Sequence, residues 1–238
     1  LLAPARRAEA DSPATRKAMP LARVEMPPLQ LRADWGPDLP ARGTIEAEDV
    51  RFLLVHHTSE PGSDYAADEV KGLLRSIYGF HTGADKDWPD IAYNFFVDKY
   101  GTIWEGRTGS AAGPLQGSAT GGNQGFSQLC CFLGDFENEP PPPPAVASMV
   151  SLLAWLAGKY NVDVTPGAET TFVSRGSNLH PLGAEVTTKT ISTHRQMSQT
   201  TCPGTACHEL VVNQFQQKTQ ELLGSGPPTT VAPTTSVA

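Results

Sequence analysis

Two histidines and a cysteine with the properties of metal ligands lie far apart in this 238-residue chain. His56 ends an apolar run that begins at residue 52, whereas His194 and Cys202 lie close to each other near the end of the chain. Two neutral imidazoles and a thiolate suit Zn²⁺, and three protein ligands leave a fourth position for water, whose pKa the metal can lower to about 7. A single histidine of this kind is more often an ordinary packed residue, and a single cysteine a buried thiol. The three together instead predict a hydrolytic zinc site.

These three residues belong to a series of five patterns that occur in order between about Arg32 and about Leu223. They are Leu31-Arg32-Ala33-Asp34-Trp35-Gly36, Val55-His56-His57-Thr58, Trp88-Pro89-Asp90-Ile91-Ala92-Tyr93-Asn94-Phe95, Asp98-Lys99-Tyr100-Gly101-Thr102-Ile103-Trp104-Glu105-Gly106-Arg107, and His-x7-Cys-Pro-Gly at 194–204. This series resembles the peptidoglycan recognition proteins and the zinc amidases related to bacteriophage T7 lysozyme.

The resemblance implies a reaction and a set of site residues. The family cleaves the amide between the lactyl group of N-acetylmuramic acid and L-alanine of the stem peptide. By resemblance, Zn²⁺ is the cofactor and His56, His194 and Cys202 are its ligands, while Tyr93 and Thr200 lie where the family contacts the substrate carbonyl or the zinc-bound water. A tyrosine hydroxyl is suited to stabilise a developing oxyanion. A threonine hydroxyl is too weak a base at neutral pH, so we expect Thr200 only to position water or substrate.

Candidate substrate-binding residues are also implied by the resemblance. In the family, an arginine after a strand and a Gly-Trp pair following it contact the stem peptide and help choose between diaminopimelate and lysine types. Arg107 matches the arginine, but Thr108-Gly109 follows it, which leaves the diaminopimelate preference open. Asn94 and Trp88 are candidates to line the same groove, although a packing role for Trp88 is an equal alternative.

Two other histidines need separate treatment. Neighbouring side chains in a strand point to opposite faces, so His56 and His57 cannot both face a metal unless the strand ends between them. We expect His57 to be hydrogen-bonded beneath the site, with direct ligation as the alternative. His81 follows a helix and either flanks the substrate groove or is structural.

Helix and strand patterns alternate along the chain, which predicts an α/β fold with a central mixed β-sheet flanked by helices. Strands are predicted at 51–58, 91–97, 102–107 and 128–136. Helices are predicted after an Asp64 cap, where Val70, Leu73, Leu74 and Ile77 have helical spacing, from Val146 to near Gly158, and from 205 to 223. The stretch 165–186 is rich in glycine, serine and asparagine and predicts a surface loop beside the site.

Composition limits the partners. A net charge of −7 and a pI near 5.3 argue against nucleic acid, which requires a basic surface, and against simple charge attraction to an anionic cell envelope. No apolar run reaches the roughly 18 to 20 residues of a membrane-spanning helix. We therefore expect peptidoglycan or a muropeptide to be recognised through the groove. We also expect a monomer.

The organisation expected is a flexible N-terminal segment at 1–28, one zinc amidase domain at 29–223, and a Pro/Thr-rich linker or tail at 224–238. We infer an exported protein, secreted or associated with the cell wall, whose signal was removed or lies outside this sequence. Whether the N-terminal segment covers the groove stays open. For Cys130, Cys131 and Cys207 the alternatives are one disulfide, from Cys207 to one of the pair, or free buried thiols.

The expected function is zinc-dependent N-acetylmuramoyl-L-alanine amidase activity in cell-wall remodelling or lysis. One alternative is a non-catalytic peptidoglycan-binding receptor, in which the family often replaces the cysteine by serine. Another is a zinc amidase that acts on soluble muropeptides.

Overall fold

The computed structural model describes residues 24–121 and 125–224. Most of the segment expected at 1–28, and all but the first residue of the tail expected at 224–238, lie outside these residues. Within the described ranges, no helix is both long and apolar enough to cross a membrane.

A six-stranded mixed sheet forms the centre of the domain. Its strands are β1 (Leu29–Gln30), β2 (Phe52–His57), β3 (Phe95–Val97), β4 (Ile103–Glu105), β5 (Ser127–Phe132) and β8 (Ile191–Thr193), in the spatial order β1-β4-β3-β5-β2-β8. β3, β5, β2 and β8 are parallel, and β4 pairs antiparallel with β3. Since β2 lies between two parallel neighbours and is covered on both faces, all six of its residues are buried, which explains its apolar run.

Helices cover both faces of the sheet. α3 (Pro143–Tyr160) and a C-terminal helix pack on one face, against Leu53, Val55 and Phe132 among others. The C-terminal helix consists of α4 (Thr205–Leu210), a π-helical segment (Val211–Phe215) and α5 (Gln216–Gly224). The short helix α1 (Arg32–Trp35) and α2 (Val70–Thr82) pack on the other face. The α/β fold with a central mixed sheet and flanking helices is therefore confirmed.

Three local predictions were wrong. Asp64 does not cap α2, because a 3₁₀ turn (Ala67–Glu69) precedes this helix and the Glu69 carboxylate accepts a hydrogen bond from the Ala66 N–H at 2.6 Å. α3 continues beyond Gly158 and ends where Asn161 adopts a left-handed conformation with φ 56°.

The stretch predicted as a surface loop at 165–186 contains an antiparallel hairpin instead, formed by β6 (Glu169–Val173) and β7 (Glu185–Lys189). Phe172 and Val186 pair across it and bury their side chains in a third apolar cluster with Phe52 and Leu54. This apolar inner face is what stabilises strands where composition alone indicated a loop.

Candidate metal centre and cleft

The three predicted metal ligands meet at one edge of the sheet. His56 lies near the carboxyl end of β2, and His194 begins the 3₁₀ turn directly after β8, the parallel neighbour of β2. One potential ligand atom from each of His56, His194 and Cys202 lies within 4.8 Å of the others. The Cys202 Sγ is 3.7 Å from the His56 Nδ1, and the two imidazole centroids are 4.5 Å apart.

The protonation states of these groups suit a metal. Burial lowers the pKa of His56 well below its ordinary value, with a further contribution from His194, and burial lowers the pKa of His194 to about 4. Both imidazoles are therefore neutral at pH 7, and the Nε2 of each is buried without a hydrogen-bond partner. Burial also raises the pKa of the Cys202 thiol to about 12, so its thiolate needs a nearby cation at neutral pH. Two neutral imidazoles and a thiolate fit Zn²⁺.

Backbone hydrogen bonds hold the cysteine in place. The His57 N–H donates to the Cys202 Sγ at 3.4 Å, and the Arg195 N–H donates to the Cys202 carbonyl at 3.0 Å. The Cys202 N–H donates to the Thr200 hydroxyl at 3.2 Å. Thr200 thus supports the turn that carries Cys202, and it does not occur among the residues that line the cleft described below.

His57 lies beneath the site, as expected. Its Nδ1 accepts a hydrogen bond from the Phe136 N–H at 3.2 Å and is 3.6 Å from the Asp135 carboxylate. The side chain points away from His56 because the two residues are neighbours in β2.

Tyr93 lies next to the candidate metal centre. Its ring centroid is 5.1 Å from that of His56 and 5.7 Å from that of His81. Burial raises the pKa of Tyr93 well above 10, with smaller contributions from Cys131 and Cys202, so the hydroxyl stays protonated and can donate a hydrogen bond.

A cleft of about 450 Å³ extends from this centre across the end of α2. Its lining combines aromatic rings with a few charged and small polar groups: Thr58, Glu60, Ile77, Phe80, His81, Lys86, Trp88, Tyr93, Ser118, Ala119, Gly121 and His194. The His81 Nδ1 accepts a hydrogen bond from the Ala92 N–H at 3.1 Å, so the proton of its neutral ring lies on Nε2. Burial, and then the charge of Lys86, lower the pKa of His81 to about 4.

Two predicted substrate-binding residues are buried and hydrogen-bonded within the protein. Asn94 is fully buried; its amide donates to the Ser110 hydroxyl and the Leu115 carbonyl, and its oxygen accepts from the Leu129 N–H at 2.8 Å. These bonds join the segments on either side of β3 and engage both polar atoms of the Asn94 side chain.

Arg107, also predicted to bind the substrate, is buried in a similar way. Its side chain is 1% exposed and donates to the Ile91 carbonyl and the Ser118 hydroxyl at 2.9 Å each, and to the Gln116 carbonyl. Arg107 therefore supports the wall of the cleft from behind. A sequence motif shows that an arginine is present but not how deeply it is buried.

Conversely, the cleft contains residues that the sequence did not single out. Phe80 lies on the exposed side of the last turn of α2, and 58% of its surface is exposed. Lys86 lies in the loop between α2 and β3. The one feature of the sequence that could have pointed to Lys86 is its position two residues before Trp88, which was already a candidate.

All four cysteines are free, and Cys130, Cys131 and Cys207 are buried thiols, as in the second alternative above.

The chain has a mixed α/β domain with two histidines and a cysteine beside a cleft. These features are typical of metal-dependent hydrolases and of related proteins that bind the same ligands without cleaving them. The family described as N-acetylmuramoyl-L-alanine amidase matches residues 46–205, which is more than half of the chain. The chain belongs to this family.

Similar curated proteins are peptidoglycan recognition proteins. Peptidoglycan-recognition protein LB of Drosophila melanogaster is 24% identical over 176 residues, covering 74% of this chain and 64% of that protein. Peptidoglycan recognition protein 4 of Mus musculus is 28% identical over 140 residues, covering 58% of this chain and 35% of that protein. The chain thus spans less than two thirds of the length of either relative.

Solved structures support the same fold. Drosophila peptidoglycan recognition protein SD has a TM-score of 0.61 at 21% identity and covers 78% of this chain and 94% of its own. The endolysin N-acetylmuramoyl-L-alanine amidase LysCS from Clostridium intestinale URNW has a TM-score of 0.56 at 19% identity and covers 83% of this chain and 97% of its own. At these identities the likeness shows the fold alone.

Proposed function

We propose that the protein is a zinc-dependent N-acetylmuramoyl-L-alanine amidase that cleaves the amide between N-acetylmuramic acid and L-alanine of peptidoglycan stem peptides. The observation that carries the proposal is the convergence of His56, His194 and Cys202 within 4.8 Å, beside a cleft of about 450 Å³ that His194 helps to line. We place this activity in the domain at 29–223, acting as a monomer outside the cytoplasm on cell-wall material.

The residues of the chain have distinct tasks in this reaction. Zn²⁺ held by His56, His194 and Cys202 would supply a nucleophile from water near neutral pH and would polarise the scissile carbonyl. His56 and His194 contribute neutral imidazoles, and Cys202, held by the His57 N–H, contributes a thiolate. Tyr93, whose high pKa keeps its proton in place, donates a hydrogen bond to the oxygen that gains charge as the amide is attacked.

Other residues bind and orient the substrate. His81 and Trp88 have ring centroids 5.0 Å apart and line the cleft beyond Tyr93, where they are placed to contact the stem peptide. Thr200 positions the ligand-bearing turn through the Cys202 N–H. Recognition depends on this cleft, because a net charge of −7 repels an anionic wall.

A non-catalytic receptor is the second candidate, since the similar curated proteins are named recognition proteins. The intact Cys202 favours the enzyme, because the catalytic task is the one that requires the third ligand. The receptor would bind peptidoglycan without releasing products.

The experiment measures metal content and hydrolysis in parallel. We expect about one zinc per chain and chelator-sensitive release of the sugar and of an L-alanine-headed peptide from purified peptidoglycan and from soluble muropeptides. Cys202→Ser is expected to abolish hydrolysis while the protein stays folded and still binds muropeptide. Cys130→Ala, on the opposite face of the sheet, is the matched control and is expected to retain activity. Binding without hydrolysis by the zinc-loaded wild type would establish the receptor instead.

A further inference from the structure

We propose that Lys86 determines substrate specificity by binding a carboxylate of the stem peptide, so that the protein prefers free-acid stem peptides over amidated ones. This inference rests on the proposed function, because it takes the stem peptide as the occupant of the same cleft. It assigns this contact to a lysine in the loop between α2 and β3, whereas Arg107 is buried behind the wall of the cleft.

Lys86 is exposed to solvent and lines the cleft, where its ammonium can bind an anion. Its Nζ lies 5.6 Å from the ring centroid of Phe80 and 5.4 Å from that of Trp88. Contacts of this kind orient an ammonium without neutralising it. Asp85 and Asp87 flank Lys86 in sequence, but neither of them lines the cleft. Among the ion pairs of the described residues, none involves Lys86.

A row of rings connects Lys86 to the candidate metal centre. Tyr93 lies 5.7 Å from His81, His81 lies 5.0 Å from Trp88, and Trp88 lies 5.4 Å from the Lys86 Nζ. The ammonium is therefore no farther from Tyr93 than four or five extended residues, at about 3.3 to 3.6 Å a residue. A carboxylate in the second to fourth position of a stem peptide lies within this reach.

The chemistry of the substrate decides which side of the scissile bond meets a cation. The sugar is N-acetylated and its lactyl carboxyl is part of the scissile amide, so that side carries no charge near the bond. The stem peptide carries the α-carboxylate of its D-glutamate, unless that group is amidated, and a second carboxylate when its third residue is diaminopimelate. Among the residues that line the cleft, Lys86 is the one lysine or arginine and Glu60 is the one carboxylate. The stem peptide therefore extends from Tyr93 toward Lys86.

The test compares four soluble N-acetylmuramoyl tripeptide amides. Their second residue is D-glutamate or D-isoglutamine, and their third is lysine or diaminopimelate, so the two pairs separate the two carboxylates. For each, kcat/KM of hydrolysis is measured with the zinc-loaded wild type, with Lys86→Met and with Lys71→Met, an exposed lysine of α2 outside the cleft, as matched control. Binding of the same four compounds to Cys202→Ser is measured by calorimetry, with and without Lys86→Met.

We expect wild type and Lys71→Met to prefer the compound that carries the recognised carboxylate over the partner that lacks it by about three- to tenfold, as for a partly exposed ion pair to a ligand. Lys86→Met is expected to lose this preference through a higher KM at unchanged kcat. Added salt should shrink the preference of the wild type.

The outcomes separate this inference from the proposed function. If no compound is hydrolysed but binding shows the same Lys86-dependent preference, the amidase proposal fails and this one stands. If Lys86→Met keeps the wild-type preference, or if no compound binds, the inference is overturned. A preference confined to the diaminopimelate pair or to the glutamate pair identifies the carboxylate.

Discussion

Replacing Arg107 by methionine tests whether this arginine supports the fold or binds substrate. Its guanidinium makes three short hydrogen bonds, to the Ile91 and Gln116 carbonyls and the Ser118 hydroxyl, and a longer one of 3.5 Å to the Asp90 carbonyl. Methionine retains most of the apolar stem but leaves these acceptors without their donor.

The magnitude follows from the burial of these groups. Leaving a buried acceptor unsatisfied costs about 1 to 3 kcal/mol, and three acceptors are affected strongly. Part of this loss is offset, because burial of the charge is itself unfavourable and lowers the pKa of Arg107 to about 10. We therefore expect the free energy of unfolding to fall by about 2 to 4 kcal/mol, which moves a urea midpoint by roughly 1 to 2 M.

The assay is urea unfolding followed by fluorescence, with hydrolysis measured on the folded fraction. Arg75→Gln is the matched control, since Arg75 pairs with Asp38 at an exposed site and its loss is expected to change the unfolding midpoint little. Lysine at position 107 should recover only part of the stability, because a single ammonium cannot reach the same acceptors. A variant with the wild-type unfolding midpoint but a selectively raised KM would refute the structural role and return Arg107 to the substrate site.

Two further results are expected. Tyr93→Phe keeps the ring packed against His56 and His81 but removes the hydroxyl that donates the hydrogen bond. We therefore expect kcat/KM to fall by about 100-fold or more with little change in stability. A decrease of less than threefold would exclude Tyr93 from the reaction. In chelator-treated protein, the pKa values of His81 and His194 are lowered from 6.5 to about 4. As the pH falls, these histidines therefore take up protons in the unfolded chain before they do so in the folded protein. The free energy of unfolding should be unaffected above pH 6.5 and should decrease between pH 6.5 and pH 4, by up to about 3 kcal/mol for each histidine. Urea midpoints at pH 7.5 and 4.5 measure this loss, which should be smaller in His81→Asn, and equal midpoints at both pH values would contradict it.

Several features could be predicted from local sequence because local chemistry decides them. The apolar run of β2, the helical spacing of Val70, Leu74 and Ile77, and the long final helix all appear where they were expected. The expectation for His57 also held, since alternation along a strand is a local property. The Asp64 cap failed because a different carboxylate, that of Glu69, satisfies the backbone at the start of the helix.

Burial could not be predicted in the same way. Asn94 and Arg107 belong to motifs that suggested substrate contact, yet both are fully engaged with backbone groups from distant segments. Phe172 and Val186 form a hairpin because their partners, Phe52 and Leu54, are supplied by a strand more than a hundred residues earlier. Such contacts are long-range, and composition over a short window does not contain them.

The sequence by itself determined the types of metal donor, which are two imidazoles and a thiolate. It also determined the strand that carries His56 and the helix that follows Cys202. Only the tertiary structure decided that the three donors meet, because His56 and His194 become neighbours through the parallel pairing of β2 with β8. The same folding brings Lys86, Trp88 and His81 into one cleft with Tyr93. The physical reason is that a ligand set needs distances of a few ångströms, and the chain reaches them by pairing strands that are far apart in sequence.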